Sequence, residues 1–169
     1  MAQQKAVEPA TDEVEDLIDE LQPGAKLLKG QYTITRYINS GGFGITYLAK
    51  DSLDRTVVIK ECFPNALCRR STSLVRARSR KHQGDFRGFV ESFLAEAKSL
   101  SRLVHPNIVG VHQVFEDNDT AYMAIDYIDG RDLHDILDST DQAFTPDQVV
   151  AMLKKMLSAV EFIHQVGIL

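Results

Sequence analysis

The chain has 169 residues, 44% hydrophobic and 25% charged, enough for one ordinary domain with a real core. Its net charge of −5 argues against a nucleic-acid binder, and no apolar run approaches the roughly 20 residues a bilayer-spanning helix needs. Cys62 and Cys68 offer neither a disulfide framework nor a C-x-x-C metal spacing and read as reduced thiols. The polar N-terminus lacks the apolar stretch of a secretory signal, so the expected address is cytoplasmic.

Charge is unevenly spread. Glu8, Asp12, Glu13, Glu15, Asp16, Asp19 and Glu20 crowd the start, while Arg69, Arg70, Arg76, Arg78, Arg80, Lys81 and Arg87 crowd the middle. After a polar lead, Thr11 is a cap for a short acidic helix. Its apolar stripe is Val14, Leu17, Ile18 and Leu21, and Pro23-Gly24 ends it. Residues 32–38, 45–50 and 56–61 read as strands from their β-branched and aromatic content, joined by a Gly-rich turn at 40–44 and a polar turn at 51–54. Two successive hairpin links imply an antiparallel meander. Residues 62–84 show no clear period and read as irregular and basic.

Residues 86–103 then take helical spacing through Phe89, Phe93, Ala97, Leu100 and Leu103, and His105-Pro106-Asn107 breaks the run. A second strand pair, 108–115 and 120–127, is joined by the turn-forming Glu116-Asp117-Asn118-Asp119. A short helix follows at 131–137. Thr145-Pro146-Asp147 is a start signal for a long helix whose apolar face runs from Val149 to Ile163. Gly167 is its stop, and His164 reads as a helix-end residue. The order is β-β-β-α-β-β-α-α, with no internal repeat.

Two features carry chemistry. Glycines at 41, 42 and 44 allow backbone amides to approach phosphate oxygens closely, although the bland reading is a flexible hairpin tip. The Walker spacing G-x-x-x-x-G-K-[ST] is absent. One strand later, alternation in Val57-Val58-Ile59-Lys60 puts Lys60 on the face of Val58, otherwise apolar. A buried lysine there calls for an anionic partner, either a phosphate under the glycine turn or Glu96 on the following helix.

The glycine turn, the V-x-I-K strand, the helix with Glu96, His-Pro-Asn-Ile-Val at 105–109 and the strand closing at Asp126-Tyr127-Ile128-Asp129-Gly130 together resemble a eukaryotic-type Ser/Thr protein kinase. The wording around G-G-F-G-I-T-Y and V-I-K-E-C-F-P is similar to bacterial members. The resemblance runs from about Leu27 to the end. It implies an α+β fold: a kinase-like small lobe, with a five-stranded antiparallel sheet and one inward helix, followed by the first two helices of the large lobe. The implied organisation is an N-terminal extension with a short acidic helix at 1–26, the small lobe at 27–129, and the hinge exit with the first large-lobe helices at 130–169.

The resemblance also implies roles. Asn39, Ser40, Gly41, Gly42, Phe43 and Gly44 form the loop over the ATP phosphates, followed by Thr46, and Ile38 and Val58 roof the adenine. Lys60 binds the α- and β-phosphates and is held by an ion pair with Glu96. Ile125 gates the back of the pocket, the backbone of Asp126 and Ile128 meets the adenine edge, and Asp132 reaches the ribose. Three positions depart from the family pattern: Asn39 replaces the first glycine of G-x-G-x-x-G, Thr46 a valine, and Val58 a smaller residue.

The family's H-R-D-x-x-x-x-N catalytic loop and D-F-G, which supply the base and the magnesium ligands, do not occur in these 169 residues. The expected activity is therefore ATP binding, as a portion of a Ser/Thr kinase that uses Mg-ATP on protein hydroxyls when complete. The alternative is a pseudokinase-like nucleotide-binding or protein-interaction module. Expected partners are ATP, a protein substrate in the complete enzyme, and a further copy of the chain through the exposed apolar stripe of the last helix. The basic stretch 69–87 reads either as a solvated loop or as a docking site for an acidic segment, such as the chain's own start, or for a phosphorylated site.

Overall fold

The computed structural model describes residues 19–139 and 144–168. The acidic helix expected from Thr11, with Val14, Leu17 and Ile18, lies outside the described residues. The strands are β1 (Lys26–Leu27), β2 (Tyr32–Gly41), β3 (Gly44–Asp51), β4 (Thr56–Cys62), β5 (Cys68–Ser71), β6 (Leu74–Ala77), β7 (Val111–Asp117) and β8 (Thr120–Asp126). The helices are α1 (Gln83–Leu100), α2 (Leu133–Ser139) and α3 (Pro146–Gln165).

One antiparallel sheet runs in the order β1-β2-β3-β4-β8-β7. The five strands read from the sequence are all there. The two-residue β1 extends them, because the turn at Pro23-Gly24 folds the chain back so that Gly24 and Ile34 exchange backbone bonds with Ile34 and Ala25. Segment 62–84, expected to be irregular, instead contains the β5–β6 hairpin. Its inner face carries only Cys68, Arg70, Val75 and Ala77, too short and too basic a set to show an apolar alternation.

The sheet is strongly curled. Although β2 and β7 are four strands apart in sheet order, the Tyr32 ring stacks on Phe115 at 5.4 Å, and Phe115 stacks on Tyr122 at 5.3 Å. The Tyr32 hydroxyl and the Gln31 amide both donate to Gln113, and the Leu28 N–H donates to the Asp117 carboxylate at 2.7 Å. Bulges in β2 between Ile34 and Arg36 and between Tyr37 and Asn39 supply the extra twist such closure needs. Leu27, Tyr32, Ile34, Tyr47, Ala49, Val57 and Ile59 fill the interior, which Cys68 and Val75 of the hairpin and Phe86 of α1 join.

α3 begins as its sequence directs. Thr145 accepts from the Gln148 N–H while Gln148 reaches back to the Thr145 N–H, with Pro146 in the first turn. His105, in the loop after α1, stacks on Phe162 at 5.3 Å and lies 3.2 Å from the Ser158 hydroxyl. The apolar stripe of α3 stays open: Val149, Leu153, Met156, Leu157 and Val160 are all exposed, Leu157 to 65%.

Candidate functional site

Strand β4 has two faces with opposite chemistry. Register pairs Thr46 with Lys60 and Leu48 with Val58 across β3, and Val58 with Ile125 across β8, so these side chains share one face. On it Thr46, Leu48, Val58 and Ile125 are half-buried and Lys60 is exposed. Lys60 does share a face with Val58, but that face is open. Among the described residues its ammonium has no ion pair, and none forms between Lys60 and Glu96, which is also exposed. The expected Lys60–Glu96 pair is thus not made in this conformation, because water rather than apolar packing surrounds both charges and neither needs a counterion.

The glycine turn sits directly above this face. Gly41 and Gly44 pair across a two-residue tip, Gly42-Phe43, and the Phe63 N–H donates to the Phe43 carbonyl at 3.1 Å. Ile38 is half-buried at its base, while Asn39, Ser40, Gly41 and Gly42 are exposed. Gly44 is required by contact rather than by backbone angle: a Cβ there would sit 2.5 Å from the Glu61 carbonyl oxygen. Phe43, 73% exposed, stacks on Phe89 of α1 at 5.9 Å.

α1 buries Phe86 and Ala97 and packs Val90 on the core. Phe89, Phe93, Glu96 and Leu100 form a second strip at spacings of three and four, beside the buried one. The stack of Phe43 on Phe89 shows that this strip meets the glycine turn. Glu96 therefore shares a helix strip with the loop contact, two turns on.

At the far end of β8, Asp126 is clasped by its side chain. One carboxylate oxygen accepts from the Gly110 N–H at 2.9 Å and the other lies 2.8 Å from His112 Nε2. Ile128 is 65% exposed. Asp132 caps α2 by accepting from the Asp135 N–H at 2.7 Å, which leaves its other oxygen for a ligand.

The opposite face of β4 holds a group the sequence reading passed over. Glu61, 1% exposed, points inward with Val57 and Ile59. Its carboxylate accepts from Tyr47 at 2.8 Å, Tyr122 at 2.6 Å and Arg70 at 2.6 Å, and the Arg70 side chain is 3% exposed. Arg70 also lies over the Phe63 ring at 5.3 Å. Burial, with the Glu61 charge added, holds both phenols well above their ordinary range. Burial works against the Arg70 charge, and Glu61 overcomes it. Period-two alternation groups Glu61 with Val57 and Ile59, but both faces of this strand carry apolar residues, so alternation alone does not say which face is buried.

Arg70 extends the cluster outward: its N–H and guanidinium bind the Asp19 carboxylate and carbonyl at 2.9 and 2.6 Å. Cys62 and Cys68 are buried free thiols, and burial pushes them up to about 11 and about 12.

Comparison with known proteins gives the family. A model of the protein kinase domain matches residues 32–169. The chain is 30% identical over 141 residues to the serine/threonine-protein kinase PrkC of Bacillus subtilis, covering 83% of this chain and 19% of that protein. It is 31% identical over 153 residues to PksC of Streptomyces coelicolor, with 86% and 24% covered. A solved structure described as the apo form of PpkA-294 is similar with a TM-score of 0.81 and 31% identity, over 88% of this chain and 53% of that one. The chain thus spans only part of the length of these relatives. A sheet with a free lysine beneath a glycine turn, matched by a family model over most of its length, identifies this chain as a member of the protein kinase family, akin to bacterial serine/threonine kinases.

Proposed function

We propose that this chain is the ATP-binding portion of a serine/threonine protein kinase, with an extension at 1–26, the small lobe at 27–129 and the first large-lobe helices at 130–169. The observation that carries this reading is the unpartnered Lys60 ammonium on the half-buried face formed by Thr46, Val58 and Ile125, below the glycine turn. An adenine fits the apolar part of that face, under Ile38 and Val58 and against Ile125. Its edge meets the backbone of Asp126 and Ile128, and its ribose meets the free oxygen of Asp132. The triphosphate meets Lys60 and the amides of residues 41–44, and Glu96 swings in to hold Lys60.

A titration with ATP or a non-hydrolysable analogue tests this: it raises the melting temperature, and Lys60→Ala removes the rise. No shift with either ligand overturns the reading.

The residues here do not fit a magnesium site. Among the described residues the potential three-ligand cluster is Asp132, His134 and Asp135, all exposed, with one Asp132 oxygen taken up as a helix cap. These 169 residues alone therefore bind nucleotide without transferring phosphate, and autophosphorylation by purified chain would contradict this. The open stripe of α3 is a surface for self-association, to be read from sedimentation at several concentrations. No helix among the described residues is long and apolar enough to cross a membrane.

A further inference from the structure

The β5–β6 hairpin turns an unusual surface outward. Arg69 and Arg76 stand directly opposite one another across its two strands. Like charges in that position repel, and each is exposed with no hydrogen bond or ion pair among the described residues. Next to them, Arg80 and Arg87 line a groove of about 850 Å³ between the hairpin, the first turns of α1 and the β7–β8 turn, and they too are unpaired among the described residues. The groove floor is apolar, with Phe86 and Val90. Four arginines of the hairpin and the groove thus have no carboxylate partner among the described residues.

The missing counter-charge is close in the chain. Asp19 is fixed to the outer edge of β5, its carboxylate 2.9 Å from the Arg70 N–H and 4.0 Å from the Arg78 guanidinium. Leu21 is buried, and its N–H donates to the Tyr47 hydroxyl, so the chain is anchored from Asp19 onward. The residues immediately before it carry Asp12, Glu13, Glu15 and Asp16, with Val14, Leu17 and Ile18 between them. About seven residues of chain reach roughly 20 Å, enough to cross a two-stranded hairpin whose strands lie about 5 Å apart.

We propose that residues 12–18 dock on the outward face of the β5–β6 hairpin, with their carboxylates on Arg69, Arg76 and Arg80 and their apolar residues toward Phe86 and Val90. The occupant is this chain's own acidic segment. Glu91, Glu116, Asp117 and Asp119 also line the groove and disfavour acidic chain beside them, which leaves the arginines of the hairpin as its seat.

Hydrogen exchange on the whole chain tests this. Amides 12–18 exchange about tenfold more slowly than in a free peptide of that sequence, independently of protein concentration. Arg69→Glu with Arg76→Glu removes the protection. Both sites are exposed, so an unchanged melting profile confirms folding. Adding Glu13→Lys with Asp16→Lys restores it. Exchange at the free-peptide rate in the wild type, protection untouched by the arginine reversals, or protection that grows with concentration and so marks a second copy would each overturn the proposal. None of these readouts involves nucleotide.

Discussion

Lys60 and Glu61 are consecutive, yet they live in different media. Lys60 faces water on an open face and pairs with nothing among the described residues. Glu61, turned by one pleat, is sealed inside and pairs with Arg70, Tyr47 and Tyr122 at 2.6 to 2.8 Å. The rule that a buried charge demands a counter-charge applies to only one of them. The comparison teaches that a charge's role follows from which face of the strand it occupies. The exposed one is free for a ligand, and the buried one is committed to structure.

The sharpest way to break this contrast is to remove the buried partner. Arg70→Leu strands the Glu61 carboxylate and should destabilise the fold by about 3–5 kcal/mol, read from urea unfolding. Next comes the residue that keeps the two strands close. Gly44→Ala places a Cβ against the Glu61 carbonyl and should cost about 1–3 kcal/mol, while also weakening nucleotide binding by displacing the turn. Tyr122→Phe removes one hydroxyl from Glu61 and should cost about 1–2 kcal/mol. On the open face, Lys60→Ala should move stability by no more than about 0.5 kcal/mol while abolishing the nucleotide shift. A large loss of stability in that variant would show Lys60 to be structural.

Alkaline pH probes the buried side again. The thiols of Cys62 and Cys68 are raised to about 11 and about 12, above an unfolded value near 9. The folded state therefore favours the protonated thiol. The stability this lends is full below about pH 9, falls as the unfolded thiols ionise, and is lost by about pH 12. Melting temperature should decline across that window, and a Cys62→Ala, Cys68→Ala double variant should decline less.

Much of this was legible in the sequence, for reasons that differ by region. The meander and the long helices announce themselves by period, and Thr145-Pro146-Asp147 sets the start of α3. The glycine turn and Lys60 could be placed on one side of the sheet because alternation is a local rule. The ion pair to Glu96 could not, since it depends on where α1 sits, and here that helix meets the turn through Phe89 and Phe43 instead. The β5–β6 hairpin was hidden because its stabilising partner is charged: Arg70 reads as surface until Glu61 is seen to be inside. Arg70 also joins the acidic start to the basic middle through Asp19.

The buried carboxylate also has a consequence for how the chain assembles. Its partners lie 9, 14 and 61 positions away along the chain. A half-built sheet of β3 and β4 alone would leave the Glu61 carboxylate with the Tyr47 hydroxyl but without its counter-charge, Arg70, so it has little reason to persist. The hairpin carrying Arg70 and the strand carrying Tyr122 must arrive together, and the long loop to Tyr122 makes that arrival slow. Refolding should accordingly be a single phase, with Arg70→Leu slowing it as well as weakening its product.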